Sequence, residues 1–148
     1  MQPFSLQIPG NIHFGRGSAA GALEWVVQRS RCVLLIHGES SGRAAWLIHE
    51  IEEQPDIKLR RFACPREPDV SLVEAAVALG RDAEVDAIVG LGGGAVIDLA
   101  KAVAGLIPAM GETLDYLEVV GKGERLDAEP LPFLAVPTTA GTGAEVTA

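Results

Sequence analysis

Three consecutive glycines, Gly92, Gly93 and Gly94, stand between an apolar run at 87–91 and a second apolar stretch of helical period. A strand that passes through glycines into a helix leaves backbone N–H groups unobstructed, and the helix dipole favours a negative ligand there. The alternative is a tight turn that needs glycine only for its backbone angles. Because Gly90 precedes the three, we interpret the segment as a pyrophosphate-binding turn, although it matches neither a P-loop nor a complete G-x-G-x-x-G motif.

A second segment that could bind a ligand runs from 137 to 147. A strand over 133–136 is expected to end at Pro137, and small and hydroxylated residues follow it. Hydroxyl and N–H groups at the carboxyl end of a strand can bind a ribose, a phosphate or a carboxamide. The alternative is a capped helix start with Thr139 or Thr142 as the N-cap, which explains one threonine rather than four. The four threonines are Thr138, Thr139, Thr142 and Thr147.

Strands and helices are predicted to alternate along the chain. Alternating or β-branched apolar runs predict strands at 4–8, 12–14, 32–36, 57–63, 87–91 and 133–136, and helical periodicity predicts helices at 19–29, 44–53, 71–79 and 95–107. Repeated units of this length imply an α/β fold, a doubly wound and mostly parallel sheet with helices on both faces and ligands at the carboxyl ends of its strands. The first two strands are expected to form a hairpin or to pair with a second subunit.

The helix at 71–79 carries the clearest boundary signals. Ser71 and Glu74 have the spacing of a capping box, and Gly80 follows the last periodic residue as a C-terminal stop. The segment 110–132, rich in glycine and charge, predicts an excursion over the surface.

Composition excludes several classes of function. The length of 148 residues fits one domain. A content of 48% hydrophobic and 22% charged residues predicts a globular protein. The net charge of −8 argues against binding to nucleic acid. No apolar run approaches the roughly 20 residues of a membrane span, so we expect a cytoplasmic protein with no membrane partner. Cys32 and Cys64 are expected to fill buried strands. The histidines lack a partner at metal-ligand spacing, and the one helical pair, His49 and Glu53, predicts a solvated face.

The two glycine and threonine segments together resemble the iron-containing (group III) alcohol dehydrogenase family, whose hallmarks are GGGS-x-x-D-x-A-K and P-T-T-A-G-T-G-S-E-V-T. The opening pattern from Phe4 to Gly15 and the spacing of the parts extend the resemblance over essentially the whole chain. It implies a Rossmann-like domain for NAD or NADP, with Gly92, Gly93, Gly94, Ala95 and Asp98 at the helix start and the four threonines around phosphate, ribose and nicotinamide. Ala95 and Ala144 replace the family's serines, so weaker rather than absent binding is expected.

The resemblance also implies what this segment lacks. The family's divalent metal, iron or zinc, is held by an Asp and three His of a helical C-terminal domain, and His13, His37 and His49 match none of those ligands. We therefore interpret residues 1–148 as the nucleotide-binding N-terminal domain of a longer protein, whether a truncated product, a deliberately cut domain or a fragmentary reading frame.

Such a parent protein is expected to transfer hydride between a small alcohol or aldehyde and the nicotinamide, and to form a homo-oligomer. A stand-alone dinucleotide-binding module is the alternative; the related maleylacetate reductases fit less well because their loop after Pro-Thr-Thr differs. A structural protein with no ligand would require both segments to be coincidental.

The residues after the first crossover strand bear on the choice between NAD and NADP. In NAD-preferring members that resemble this chain, an Asp commonly stands where Gly38 falls, accepting hydrogen bonds from the adenosine ribose and repelling a 2′-phosphate. With Gly38 that repulsion is absent, and Ser40, Ser41 and Arg43 can reach the phosphate, although Glu39 opposes it. We expect NADP to bind at least as well as NAD; the alternative is that 37–38 is merely a turn.

Overall fold

A computed structural model describes residues 11–117 and 121–147. Within these ranges the chain forms four strands and five α-helices. The strands are β1 (Cys32–Gly38), β2 (Lys58–Cys64), β3 (Ala87–Gly92) and β4 (Phe133–Pro137), and the helices are α1 (Gly21–Arg29), α2 (Ala45–Glu52), α3 (Val70–Asp82), α4 (Gly94–Leu106) and α5 (Thr113–Tyr116). The predicted alternation of strand and helix is confirmed, with boundaries that differ by a few residues.

All four strands are parallel, in the order β2-β1-β3-β4. Leu34 of β1 lies opposite Arg60 of β2 and Ile88 of β3, and Leu91 of β3 lies opposite Val136 of β4. The predicted α/β class and parallel sheet are therefore confirmed, as a Rossmann-like fold.

Two apolar layers cover the two faces of the sheet. Val33 and Leu35 point into the layer formed with α1 and α2, whereas Leu34 and Ile36 point into the layer formed with α3 and α4. Successive side chains of a strand alternate between faces, and a fully apolar strand such as β1 is expected where both faces are covered. The helix after β1 and the helix after β3 consequently lie on opposite sides of the sheet.

The two outer strands differ in charge. On β2, Lys58, Arg60 and Arg61 are exposed, and Arg61 lies 3.8 Å from the Glu52 carboxylate of α2. Charged side chains on an outer strand discourage pairing with another chain. The sequence of β4 has no charged residue, and its side chains are half-buried from Phe133 to Val136.

The predicted N-terminal strand pair lies partly outside the described residues. Residues 12–14 form no ladder with any described strand, and because residues 4–8 are not described, the pairing of the two segments stays a prediction. Ile12 is 65% exposed and Phe14 fully exposed. A strand requires a neighbour to satisfy its backbone groups, and none of the described residues provides one here.

The boundaries predicted for α3 are also wrong. Asp69, rather than Ser71, is the N-cap: its carboxylate accepts a hydrogen bond from the Leu72 N–H at 2.8 Å, and the helix starts at Val70. Gly80 does not end the helix, which continues to Asp82. A Cβ on Gly80 would clash with the Ile107 Cδ1, so the glycine permits close packing of the two segments.

The described part of the segment 110–132 holds one helical turn. Glu112 and Asp115 form a reciprocal capping box at the start of α5, and the Lys122 ammonium lies 2.7 Å from the Asp115 carboxylate, which lowers the pKa of Asp115. Backbone contacts then tie the segment to the core, as the Leu131 N–H donates to the Ala104 carbonyl at 2.9 Å. Across the described residues, we find no helix with the length and apolarity that a membrane crossing requires.

Both cysteines are buried as predicted, at opposite ends of the sheet. Cys32 begins β1 and Cys64 ends β2, and each is a free thiol. Burial raises the pKa of both thiols, because the charged thiolate is poorly solvated there. Their place in the apolar layer supports the interpretation that they are packing residues.

Candidate nucleotide-binding site

A crevice opens between the carboxyl ends of β1 and β3. The helices that follow these adjacent strands depart to opposite faces of the sheet, which leaves a gap between the two loops. A pocket of about 390 Å³ occupies this gap. Its walls come from the loop after β1, the end of β3 and the residue after β4. Six of the predicted site residues line it: Gly38, Glu39, Ser40, Gly92, Gly93 and Thr138.

The start of α4 forms the floor of this crevice. Gly93 is the N-cap and offers no side chain to the helix, while the Ile97 N–H already donates to the Gly93 carbonyl at 3.1 Å. The N–H groups of Gly94, Ala95 and Val96 therefore lack intrahelical acceptors. With the positive end of the helix dipole, they form the kind of place where an anion such as a pyrophosphate binds.

The glycines of this region serve two different purposes. Added Cβ atoms would stand 2.8 Å from the Ala100 Cβ at Gly90 and 2.6 Å from a Val96 methyl at Gly92, so both glycines let α4 pack closely on β3. At Gly93 and Gly94, the added atoms would instead meet threonine side chains after β4, at 3.3 and 3.1 Å. Close packing against α4 and Phe133 thus accounts for Gly90, which gives no support to phosphate binding.

The residues after β4, 138–147, form what we call the threonine loop. The Thr138 N–H donates to the Gly92 carbonyl at 2.8 Å, which carries the β3-β4 pairing to the edge of the crevice. The Thr139 hydroxyl approaches Gly93, and the Thr142 methyl approaches Gly94. These residues form turns, and the Thr142 hydroxyl accepts a hydrogen bond from the Ala144 N–H at 3.3 Å, so the alternative of a helix start capped by Thr142 stays open.

The loop after β1 forms the opposite wall. The Ser40 hydroxyl accepts a hydrogen bond from the Gly42 N–H at 3.2 Å and caps a short 3₁₀ turn that carries Arg43 into the pocket wall. His37 and Gly38 belong to β1, so the interpretation of 37–38 as merely a turn is wrong. A Cβ on Gly38 would meet no atom within 4 Å, which leaves room there for a larger residue.

Six predicted site residues lie outside the pocket wall: Gly94, Ala95, Asp98, Thr139, Thr142 and Thr147. Asp98 is on the exposed side of α4, with its carboxylate 3.5 Å from the Lys101 ammonium. Thr147 accepts hydrogen bonds from that same ammonium, at its carbonyl (3.1 Å) and at its hydroxyl. Their proposed contact with a dinucleotide stays a prediction.

Sequence reasoning overlooked two residues near the threonine loop. Lys101, the lysine of the GGGS-x-x-D-x-A-K pattern, joins α4 to the loop through Thr147. Glu145 has one carboxylate oxygen that is buried and has no hydrogen-bond partner among the described residues. A buried acceptor without a donor is costly, so this oxygen is suited to a donor that the described residues do not supply.

The described residues hold no candidate metal centre. No group of three His, Cys, Asp or Glu side chains comes together in ranges 11–117 and 121–147. His49 and Glu53 form the expected helical pair at 3.5 Å, and both side chains are largely exposed. These residues therefore do not fit the iron or zinc ion that the resemblance implies.

Comparison with known proteins agrees with this geometry. The family model described as iron-containing alcohol dehydrogenase matches residues 9–148. The chain belongs to the iron-containing alcohol dehydrogenase family. Among its relatives, the probable alcohol dehydrogenase EutG of Escherichia coli (strain K12) is 41% identical over 149 residues, which covers 97% of this chain and 36% of the relative. The probable NADH-dependent butanol dehydrogenase 1 of Bacillus subtilis (strain 168) is 33% identical over 150 residues, covering 99% and 38%.

A solved structure of a similar protein has the same fold. The sulfoacetaldehyde reductase from Bifidobacterium kashiwanohense, determined in complex with NAD⁺, superimposes with a TM-score of 0.83 at 26% identity, covering 99% of this chain and 39% of that one. This chain thus spans well under half the length of the family members it matches.

Proposed function

We propose that this chain binds NAD or NADP in the crevice between β1 and β3. The observation that carries the proposal is the start of α4, where three N–H groups without intrahelical acceptors follow Gly93, a residue of the pocket wall. The pyrophosphate would bind at these groups, the adenosine ribose near Gly38 and Glu39, and the nicotinamide end along the threonine loop. The solved relative with bound NAD⁺ supports this choice of ligand class.

We further propose that the dinucleotide serves an oxidoreductase that interconverts an alcohol and an aldehyde. When bound, the nicotinamide supplies the hydride chemistry, while this chain binds the dinucleotide, orients it and restricts its access to water. Because the described residues do not fit a metal ion, we assign no step of the reaction to a metal held by them. Iron or zinc would be held by the part of the family's fold that this chain does not span.

The loop after β1 supports a proposal on cofactor choice. Gly38 carries no carboxylate to repel a 2′-phosphate, and Arg43 lies in the same wall of the pocket. Glu39 also lies in this wall, and its negative charge disfavours the 2′-phosphate. We infer that NADP binds at least as well as NAD.

Calorimetric titration of the chain with NAD, NADP and ADP tests the binding proposal. We expect saturable binding of one dinucleotide per chain, with ADP as a competitor because it carries the adenosine and the pyrophosphate. Absence of saturable binding, or NAD binding that ADP does not affect, would refute the proposed site.

A second candidate, a dinucleotide-binding module without catalysis, is favoured by the absence of a metal-ligand cluster in the described residues. An assay with NAD or NADP, simple alcohols and added iron or zinc tests an expectation that both candidates share, because neither assigns a metal site to this chain. We expect no turnover by this chain alone, and metal-dependent turnover would contradict that expectation.

A further inference from the structure

Lys101 joins two parts of the candidate site that are far apart in sequence. It lies on α4, two turns after the helix start, and its side chain is only 21% exposed. The ammonium donates to both the carbonyl and the hydroxyl of Thr147, 46 residues away. An ammonium has three donors, so the Asp98 carboxylate at 3.5 Å can take the remaining one.

The hydrogen bonds continue from Thr147 back towards the helix start. The Thr147 hydroxyl donates to the Ala144 carbonyl at 3.2 Å, and the Ala144 N–H donates to the Thr142 hydroxyl at 3.3 Å. Ala144 is buried, and the Thr142 methyl rests against Gly94, the first residue of α4. Lys101 is therefore connected, through one side of the loop, to the place proposed for the pyrophosphate.

The threonine loop has few other constraints on its conformation. Gly141 and Gly143 have φ angles of 113° and 69°, a region that glycine enters readily, and the loop belongs to no helix or strand. At its start the loop is fixed by the bond from Thr138 to Gly92, and at its end by Lys101. A loop that is ordered before a ligand arrives loses less conformational entropy on binding.

We propose that Lys101 is a positioning residue that holds the threonine loop, through Thr147, in the conformation that receives the nicotinamide half of the dinucleotide. The proposal rests on the proposed function of the crevice. Lys101 itself does not contact the ligand. Its loss should therefore affect ligands that reach the loop more than ligands that stop at the start of α4.

The test compares Lys101→Met and Lys101→Arg with the wild type. Methionine keeps most of the side-chain length but has no donor, whereas arginine retains several. We expect Lys101→Met to weaken NAD about ten-fold, the effect of losing a charge-assisted hydrogen bond, and to change ADP affinity by less than about three-fold. Lys101→Arg should restore NAD affinity at least in part. Lys122→Met is the matched control, because Lys122 forms its ion pair with Asp115, and neither residue belongs to the threonine loop or to α4.

Amide hydrogen exchange provides a readout that does not depend on ligand. In Lys101→Met, amides of the threonine loop should exchange faster while those of β1 and β3 keep their protection. Equal NAD affinity in Lys101→Met and the wild type, unchanged loop exchange, or equal losses of NAD and ADP would each overturn the positioning role. If the wild type binds no dinucleotide, the proposed function fails, and the exchange of the loop still decides whether Lys101 orders it.

Discussion

Gly90 of β3 and Ala100 of α4 lie in such close contact that a Cβ added to Gly90 would stand 2.8 Å from the Ala100 Cβ. Neither atom belongs to a flexible side chain, so the helix would have to move away from the sheet. We expect Gly90→Ala to lower the free energy of unfolding by about 1–3 kcal/mol, as overpacking does in well-packed cores. Urea denaturation measures this, with Gly21→Ala as the control because a Cβ at Gly21 meets no atom within 4 Å. Equal stability of the two variants would contradict the packing role of Gly90.

A bulky residue at Gly93 should remove dinucleotide binding without unfolding the chain. A Cβ there has only Thr139 atoms within 4 Å, the nearest at 3.3 Å, so the fold should accommodate Gly93→Val. The added methyl groups would occupy the space above the first N–H groups of α4, where the pyrophosphate is proposed. Calorimetry should record at least a ten-fold loss of NAD affinity, about 1.4 kcal/mol. A folded variant with undiminished affinity would rule out the pyrophosphate site at α4.

The cap of α3 predicts a pH dependence of stability. Hydrogen bonds from the Ser71 hydroxyl, the Arg66 guanidinium and the Leu72 N–H hold the pKa of Asp69 well below its usual range. Since the folded-state pKa lies below the unfolded value of about 3.9, this stabilisation is present above that value and is lost as pH falls through the folded pKa.

Asp69→Ala should therefore unfold at a lower temperature than the wild type at pH 7, and the difference should shrink towards strongly acidic pH. Asp69→Asn keeps a capping oxygen, so its unfolding temperature is expected to fall less than that of Asp69→Ala. Thermal unfolding followed by circular dichroism at several pH values measures the unfolding temperatures of both variants and the wild type. A difference that grows as the pH falls would contradict this assignment of the cap.

Gly38 offers a direct test of cofactor choice. A Cβ at this position meets no atom within 4 Å, so Gly38→Asp should fold normally while its carboxylate accepts hydrogen bonds from the ribose and repels a 2′-phosphate. We expect the wild type to bind NADP at least as well as NAD, and the variant to prefer NAD about ten-fold or more. The ratio of the two dissociation constants is the measurement. A strong wild-type preference for NAD that the aspartate leaves unchanged would show that Gly38 does not select the cofactor.

The order of strands and helices could be predicted from the sequence because the apolar strand runs and the helical periodicity are both strong in this chain. β1 and β3 are continuous apolar runs, and α4 follows its glycines without interruption, so the crevice and most of its wall could be predicted from local pattern. The start of α3 was misjudged because Asp69 and Ser71 can each cap a helix, and only the backbone geometry decides between them. The strand predicted at 12–14 stays a prediction, because a strand depends on a neighbour that local alternation does not reveal and the predicted neighbour lies outside the described residues.

Contacts between residues far apart in the sequence could not be predicted from the local pattern of residues. Lys101 and Thr147 are 46 positions apart, and nothing in the periodicity of either segment brings them together. Likewise, the close packing of Gly90 on Ala100 depends on the distance between helix and sheet, which a sequence of apolar residues does not specify. Phosphate binding and close helix packing both require glycine. The role of a given glycine can therefore be assigned only when its neighbours in the structure are known.

The opposite departure of α2 and α4 from neighbouring strands has a consequence for how this protein can evolve. The crevice exists because of the path of the backbone, so its location does not depend on any one side chain. The residues after β1 can therefore vary while the start of α4 keeps its place in the crevice. Under the proposed function, preference for one dinucleotide over the other is a separable trait, which a single substitution after β1 would reverse while the fold is retained.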